Sequence, residues 1–267
     1  MVNLHPTPYP DVNEIMTLLL ESVKDLLQKE FLGMYLYGSL ASGDFDPAAS
    51  DIDFLFVTND LLSPDTIAEL VSMHARIWNA CLKWAEKLEG SYIPKEHLRR
   101  YEKTHIGYPT VNEGKFYVAP HGSDWIIQRY IVREGGIVLA GPDPRTLIDP
   151  IGPDDIRRAV TGILHEWWFS MLDNPSWLKN HGSEYHAYTI LTMCRSLHAL
   201  EHGVIVSKSA AARWAQGELG GKWLRVIEQS LATRIGARNF ELYESALELI
   251  RYTMDRVSPL SKEVTVL

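Results

Sequence analysis

Two apolar runs separated by a glycine-punctuated polar loop constrain this chain more than any other stretch. The runs, Met34 to Tyr37 and Ile52 to Val57, have the length and composition of β-strands. Gly38, Gly43 and Pro47 lie between them, so the chain turns back without a long helix. Gly38-Ser39 follows the first run, and Ser50-Asp51-Ile52-Asp53 opens the second. Alternation along a strand puts Asp51 and Asp53 on one face. Two carboxylates aimed at one point repel unless a cation lies between them, and hard oxygen donors suit Mg²⁺. Backbone N–H groups at Gly38 and the Ser39 hydroxyl can hold phosphate oxygens at the strand end. The stretch therefore predicts a site for a metal-bound nucleoside triphosphate.

The flanking sequence supplies a scaffold for it. Ile15, Leu18, Leu19, Val23, Leu26 and Leu27 have helical spacing and lead into the first strand. Pro64-Asp65 starts a second helix expected to reach about Lys87, with Ile67, Leu70, Val71, Ile77, Trp78, Cys81 and Leu82 mostly inward. A short strand from Leu88 to Ile93, stopped by Pro94, then returns the chain to the sheet beside the Asp-x-Asp strand. It carries Glu89, a carboxylate suited to take a proton from an acceptor hydroxyl or to share the metal. Glu86 is set aside because it falls in the predicted helix. Residues 95–122 read as an extended loop or a hairpin edge. Ser123 is expected to cap a helix through Glu134, and Ile137 to Ala140 forms another strand.

Dense Gly-Pro punctuation from Gly141 to Pro153 marks a boundary. It separates an N-terminal α/β domain with a mixed sheet, residues 1–150, from an all-α helical bundle, residues 151–267. Helices are expected near 154–172, 184–203, 208–218, 220–235 and 239–257. Of Trp167, Trp168 and Trp177, at least two read as core. In the bundle, Ser207 has the character of an N-cap, which puts Lys208 in the first helical turn. A cation there opposes the macrodipole unless an anion is present, so the pair forms a phosphate site. Arg195 lies among Leu191, Cys194, Leu197 and Leu200 and is expected to be partly buried with a partner.

Composition narrows the class of partner. No apolar run approaches the roughly 18 residues of a membrane span, and the N-terminus lacks the pattern of a signal peptide. The two cysteines, Cys81 and Cys194, have no metal-like spacing and read as free thiols in a reducing compartment. A cytoplasmic protein without a membrane partner is expected, working as a monomer. Net charge is −8, with all the excess in residues 1–150. The absence of a basic stripe weighs against a nucleic acid partner.

Gly38-Ser39, eleven residues, then Asp51-x-Asp53 resembles the DNA polymerase β-type nucleotidyltransferases. Within that superfamily the chain is similar to the aminoglycoside adenylyltransferases of the streptomycin/spectinomycin type. The likeness rests on Glu89, on Ser123-Asp124 through Arg133-Glu134 to Gly141-Pro142, and on Leu191-Thr192-Met193-Cys194-Arg195. It continues through Gly203, Ser207-Lys208 and Ala211-Ala212-Arg213-Trp214-Ala215. The resemblance implies that Gly38, Ser39 and Ser50 hold the triphosphate and that Asp51 and Asp53 bind Mg²⁺. It implies Glu89 as the catalytic base and possible third metal ligand, and Asp124, Arg195 and Lys208 at the nucleotide. The expected reaction moves AMP from MgATP to a hydroxyl of a small molecule in a cleft between the domains. The stretch ahead of Arg195 departs from the family: Glu184 is the single acid beside His181, Tyr185 and His186, and Arg234 stands where the family has a tyrosine. Glu184 remains the candidate for acceptor binding, and an acceptor with fewer cationic groups is expected, making streptomycin and spectinomycin poor substrates. A protein acceptor and a non-catalytic nucleotide sensor are the alternatives.

Overall fold

The computed structural model describes residues 6–80 and 82–263, with side chains described as far as residue 257. Cys81, expected to face inward, lies outside the described residues. Two compact units emerge: Met1–Phe45 with Ser50–Pro150, and Asp46–Ala49 with Ile151–Leu267.

The first unit opens with α1 (Pro10–Leu27), whose Val12, Ile15, Met16, Leu19 and Val23 form one buried stripe. It feeds β1 (Phe31–Leu36), which runs into a one-turn helix, α2 (Gly38–Ser42). The next strand, β2 (Ile52–Thr58), pairs antiparallel with β1. Helix α3 (Pro64–Asn79) is capped by Ser63, whose Oγ accepts from the Thr66 N–H at 3.1 Å. It crosses to β3 (Leu88–Pro94), which lies parallel to β2. A short α4 (Lys95–Arg99), a hairpin of β4 (Tyr108–Asn112) and β5 (Lys115–Ala119), α5 (Asp124–Gly135) and β6 (Ile137–Ala140) follow. Among the described residues six strands take the order β5-β4-β3-β2-β1-β6, a mixed sheet as expected.

One face of this sheet is the core. Met34 and Leu36, Ile52, Phe54 and Phe56, and Leu88 and Tyr92 pack against α1 and α3 with almost no exposure. Strand alternation then sends Asp53, Glu89 and Ser91 to the other face. Their chemistry is available because the even-numbered neighbours secure the strands.

Three expectations need correction here. Helix α3 stops at Asn79 rather than near Lys87. Trp84 is buried against the Phe45 ring, centroids 5.4 Å apart, and takes a φ of +75°, which a right-handed helix cannot continue. Glu86 consequently sits in a 3₁₀ turn, Ala85–Lys87, and Val71 is exposed. Ser123 occupies the N-cap position of α5 without a side-chain capping bond. The segment 95–122 contains a short helix besides the hairpin.

The second unit is helical: α6 (Pro153–Ile163), a π turn (Leu164–Trp168), α7 (Ser170–Asp173), α8 (Pro175–Lys179) and α9 (Ser183–His202). Then come α10 (Lys208–Leu219), α11 (Gly221–Arg234) and α12 (Tyr243–Glu263). Helix α9 is the hub, burying residues around most of its circumference, including Ile190, Leu191, Met193, Cys194 and Leu197. Only Trp168 of the three tryptophans is core; Trp167 and Trp177 are exposed, because the π turn widens the helix and turns Trp167 outward. No helix of the described residues is long and apolar enough to cross a membrane.

His74, fully buried on α3, donates to or accepts from the Tyr92 hydroxyl through Nε2 at 2.7 Å. Burial pushes its pKa down to about 3. The native state therefore holds a neutral ring, while the unfolded chain protonates near 6.5. Stability is full above the unfolded value and is lost as pH falls toward the folded one, by at most about 1.4 kcal/mol per pH unit from this ring. His74→Gln keeps a partner for Tyr92 without a titrating group. Its unfolding free energy, followed by urea titration from pH 7 to pH 4.5, is expected to fall less steeply than that of the wild type.

Candidate active site

Gly38 and Asp53 define the centre of the site. The Tyr37 N–H donates to the Asp53 carbonyl at 3.1 Å, which draws the end of β1 onto the start of β2. Gly38 then turns with a φ of +61° into α2. A Cβ on Gly38 would stand 1.9 Å from Asp53 Oδ2. Glycine is required twice, for the left-handed backbone and for the space that the carboxylate fills. Ser39 follows in the first turn of α2, and Ser50 is buried just ahead of β2.

The parallel pairing of β2 and β3 sets Asp53 directly across from Glu89. Neighbouring parallel strands are about 4.8 Å apart, so the two carboxylates share one patch of the sheet face. Asp124, the first residue of α5, joins them. Burial first, then the charges of Asp53, Glu89 and Asp124, push the Tyr37 phenol pKa well above 10.0. Tyr117 on β5 feels Glu89 and Asp124 as well, after burial as the larger cause of its raised pKa. Sequence reasoning missed both tyrosines, although Tyr37 is adjacent to Gly38. A buried phenol among three carboxylates stays neutral.

Asp51 pairs with Lys87, Nζ to Oδ1 3.2 Å, a contact not anticipated from sequence. With both side chains about half exposed, such a pair contributes about 0–1 kcal/mol and yields readily to a divalent cation. Among the described residues no three His, Cys, Asp or Glu gather tightly enough to enclose an ion. That open geometry fits Mg²⁺, which takes oxygen ligands and is commonly held by one or two carboxylates plus substrate phosphates. Asp51 and Asp53 have the right chemistry for a metal that arrives on a triphosphate.

Helix α5 is fixed by Arg129, buried at 3 % exposure. Its guanidinium donates to the carbonyls of Leu98 at 3.0 Å, Trp125 at 2.9 Å and His97 at 2.7 Å. Burial lowers its pKa to about 10, so it remains cationic at neutral pH. Three carbonyl partners explain how a charge is tolerated there.

In the second unit Ser207 caps α10, its Oγ accepting from the Ala210 N–H at 3.2 Å, and Lys208 is the first helical residue as expected. Lys208 Nζ sits 4.1 Å from the centroid of the Tyr188 ring. Tyr188 lies four residues after Glu184 and seven before Arg195, so helical spacing places all three on one face of α9. Arg195 is half-buried. Arg234, noted above only as a departure, donates from Nη1 to Ser209 Oγ at 3.0 Å, adding a second cation at the start of α10. His186 is buried with Nε2 at 2.9 Å from the Leu178 carbonyl. It is structural and does not line a pocket beside Glu184, which is exposed.

A carboxylate pair in register on a mixed sheet, beside a glycine turn that opens a helix, has the parts that nucleotidyl transfer needs. Residues 16–103 match the family model for the nucleotidyltransferase domain, and residues 146–257 match that for the aminoglycoside adenylyltransferase C-terminal domain. In both parts the chain is similar to the aminoglycoside adenylyltransferases. A spectinomycin 9-adenylyltransferase of Staphylococcus aureus is 27 % identical over 209 residues, covering 73 % of this chain and 75 % of that protein. An Escherichia coli aminoglycoside (3'') (9) adenylyltransferase is 27 % identical over 264 residues, covering 89 % and 92 %. The fold matches an Enterococcus spectinomycin adenyltransferase solved with ATP and spectinomycin, with a TM-score of 0.71, 20 % identity and coverage of 92 % and 98 %.

Gly38→Ala is expected to displace the Asp53 carboxylate or the α2 turn by about 1 Å. Displacement on that scale costs on the order of 10²-fold in rate. Pyrophosphate release in the variant, with circular dichroism to verify folding, measures the effect.

Proposed function

We propose that this chain transfers AMP from MgATP to a hydroxyl of an aminoglycoside- or aminocyclitol-type small molecule, with release of pyrophosphate. The observation that carries the proposal is the register of Asp53 with Glu89 beside Gly38. Glu89 takes the acceptor's hydroxyl proton as the oxygen attacks the α-phosphorus in line. The new O–P bond forms as the bond to the β-phosphate oxygen breaks, and the electron pair leaves with pyrophosphate. Asp51 and Asp53 hold Mg²⁺, which when bound supplies positive charge against the triphosphate. Gly38, Ser39 and Ser50 offer backbone N–H groups and hydroxyls to the phosphate oxygens. Asp124 lines the nucleotide site.

Roles for Arg195 and Lys208 at the phosphates rest on the sequence likeness. The helix N-terminus at Lys208 and the nearby Arg234 support them electrostatically. The acceptor class rests on the relatives' activities and departs from the expectation, drawn from sequence, that streptomycin and spectinomycin are poor substrates. The only carboxylate on the Glu184–Arg195 face named above is Glu184, with the Tyr188 ring beside it. Recognition of a strongly cationic ligand calls for several carboxylates, so this lining favours the acceptor with fewer positive charges.

Glu89→Gln is expected to lower kcat by about 10²–10⁴-fold, the scale of a general base, while ATP binding persists in calorimetry. Equal loss of binding and rate would make Glu89 chiefly a metal ligand. Assays with spectinomycin and streptomycin side by side test the acceptor, with the less cationic spectinomycin expected to be the better substrate. Failure of both drugs in the presence of Mg²⁺ and ATP would return the acceptor to another hydroxylated class.

A further inference from the structure

His121 is a buried side chain that the proposed chemistry does not use. It lies at 6 % exposure in the segment leading into α5. Its Nε2 is 3.0 Å from Ser91 Oγ. The Ser91 hydroxyl donates to the Pro109 carbonyl at 3.0 Å, and that carbonyl can only accept. With the serine proton committed there, His121 must donate through Nε2. Its Nδ1 is then a bare lone pair, buried without a partner among the described residues. The ring lies flat on Trp125, with centroids 3.5 Å apart and planes 6° apart, and is tilted against Tyr108 at 4.2 Å.

The ring contacts alone do not call for an imidazole. Ser91 is already satisfied by Pro109. A phenylalanine at 121 would keep the ring contacts and avoid the unpaired acceptor, which costs free energy in a buried place. What the imidazole adds is a link between two elements. Ser91 is two residues from Glu89 on the same face of β3, and Trp125 is the neighbour of Asp124 at the start of α5. Arg129 ties the same turn of α5 to the end of α4 through Trp125, Leu98 and His97. It makes no bond to β3 among those described. The His121–Ser91 hydrogen bond is therefore a polar tie from the segment entering α5 to the strand that carries Glu89.

We propose that His121 is a positioning residue, which fixes the spacing of Glu89 and Asp124 by joining Ser91 on β3 to the Trp125 turn of α5. The proposal rests on the reading of Glu89 as base and metal partner. The hydrogen bond to Ser91 and the stack on Trp125 hold the two elements at one separation. His121 acts through Ser91 and Trp125 and touches no substrate.

Three variants test it. His121→Phe keeps the stack and loses the bond. His121→Gln keeps a donor near the Nε2 position and loses the stack. Ser91→Ala removes the acceptor and leaves the histidine. His121→Phe and Ser91→Ala are expected to lose about 10-fold in kcat, the cost of a small misplacement, with the KM for ATP within about twofold. His121→Phe should melt at or above the wild-type temperature. His121→Gln should melt lower yet keep kcat within about threefold of wild type. Activity then follows the hydrogen bond and stability follows the stack, a split that a merely structural residue cannot produce. Activity that follows melting temperature across the set, or wild-type kcat in a folded His121→Phe, overturns the proposal. Mn²⁺ titration with a non-hydrolysable ATP analogue separates this outcome from failure of the assigned reaction. Affinity should weaken in His121→Phe and Ser91→Ala but not in His121→Gln, even if no acceptor is found; equal affinities in all of them also overturn it.

Discussion

The register that sets Asp53 directly across from Glu89 is the constraint on which the first unit's candidate site depends. The opposite sheet face holds that register in place. Ile52, Phe54, Phe56, Leu88 and Tyr92 are almost fully buried, and burial of such side chains contributes about 1.5–3 kcal/mol each. One set of alternate residues on β2 and β3 thus supplies stability while the other set carries the carboxylates. Gly38 completes the arrangement by leaving room for Asp53 where any side chain would collide with it.

The elements around this centre were legible in the sequence where one period dominated. The alternation of β2 and the helical spacing of α1 gave both elements, and the short strand after α3 was enough to bring Glu89 to Asp53. Local signals failed where tertiary burial decided. Nothing near Asn79 announces the end of α3; burial of Trp84 against Phe45, 39 residues earlier in the chain, requires it. The surroundings of Lys87, Tyr37, Tyr117 and His121 were not legible for the same reason, since each meets its neighbours from another element. Trp167 was misread because a π turn shifts the helical period that the reading assumed.

In the helical unit the legible part was the α10 cap. Ser207 and Lys208 are local features, fixed by hydrogen bonding within four residues. The neighbours of Lys208 were not legible: Tyr188 comes from the preceding long helix and Arg234 from the end of α11. Arg234 adds positive charge at a helix N-terminus that already favours anions.

Oxygen-18 placed in the reactive hydroxyl of the acceptor gives the most direct measurement of the central claim. After incubation with MgATP, mass spectrometry should find one adenylyl group on the acceptor, with the label retained in the bridge to phosphorus. Pyrophosphate should appear in equal amount. Formation of ADP with a phosphorylated acceptor, or an adenylylated product that has lost the label, would contradict attack by the hydroxyl on the α-phosphorus.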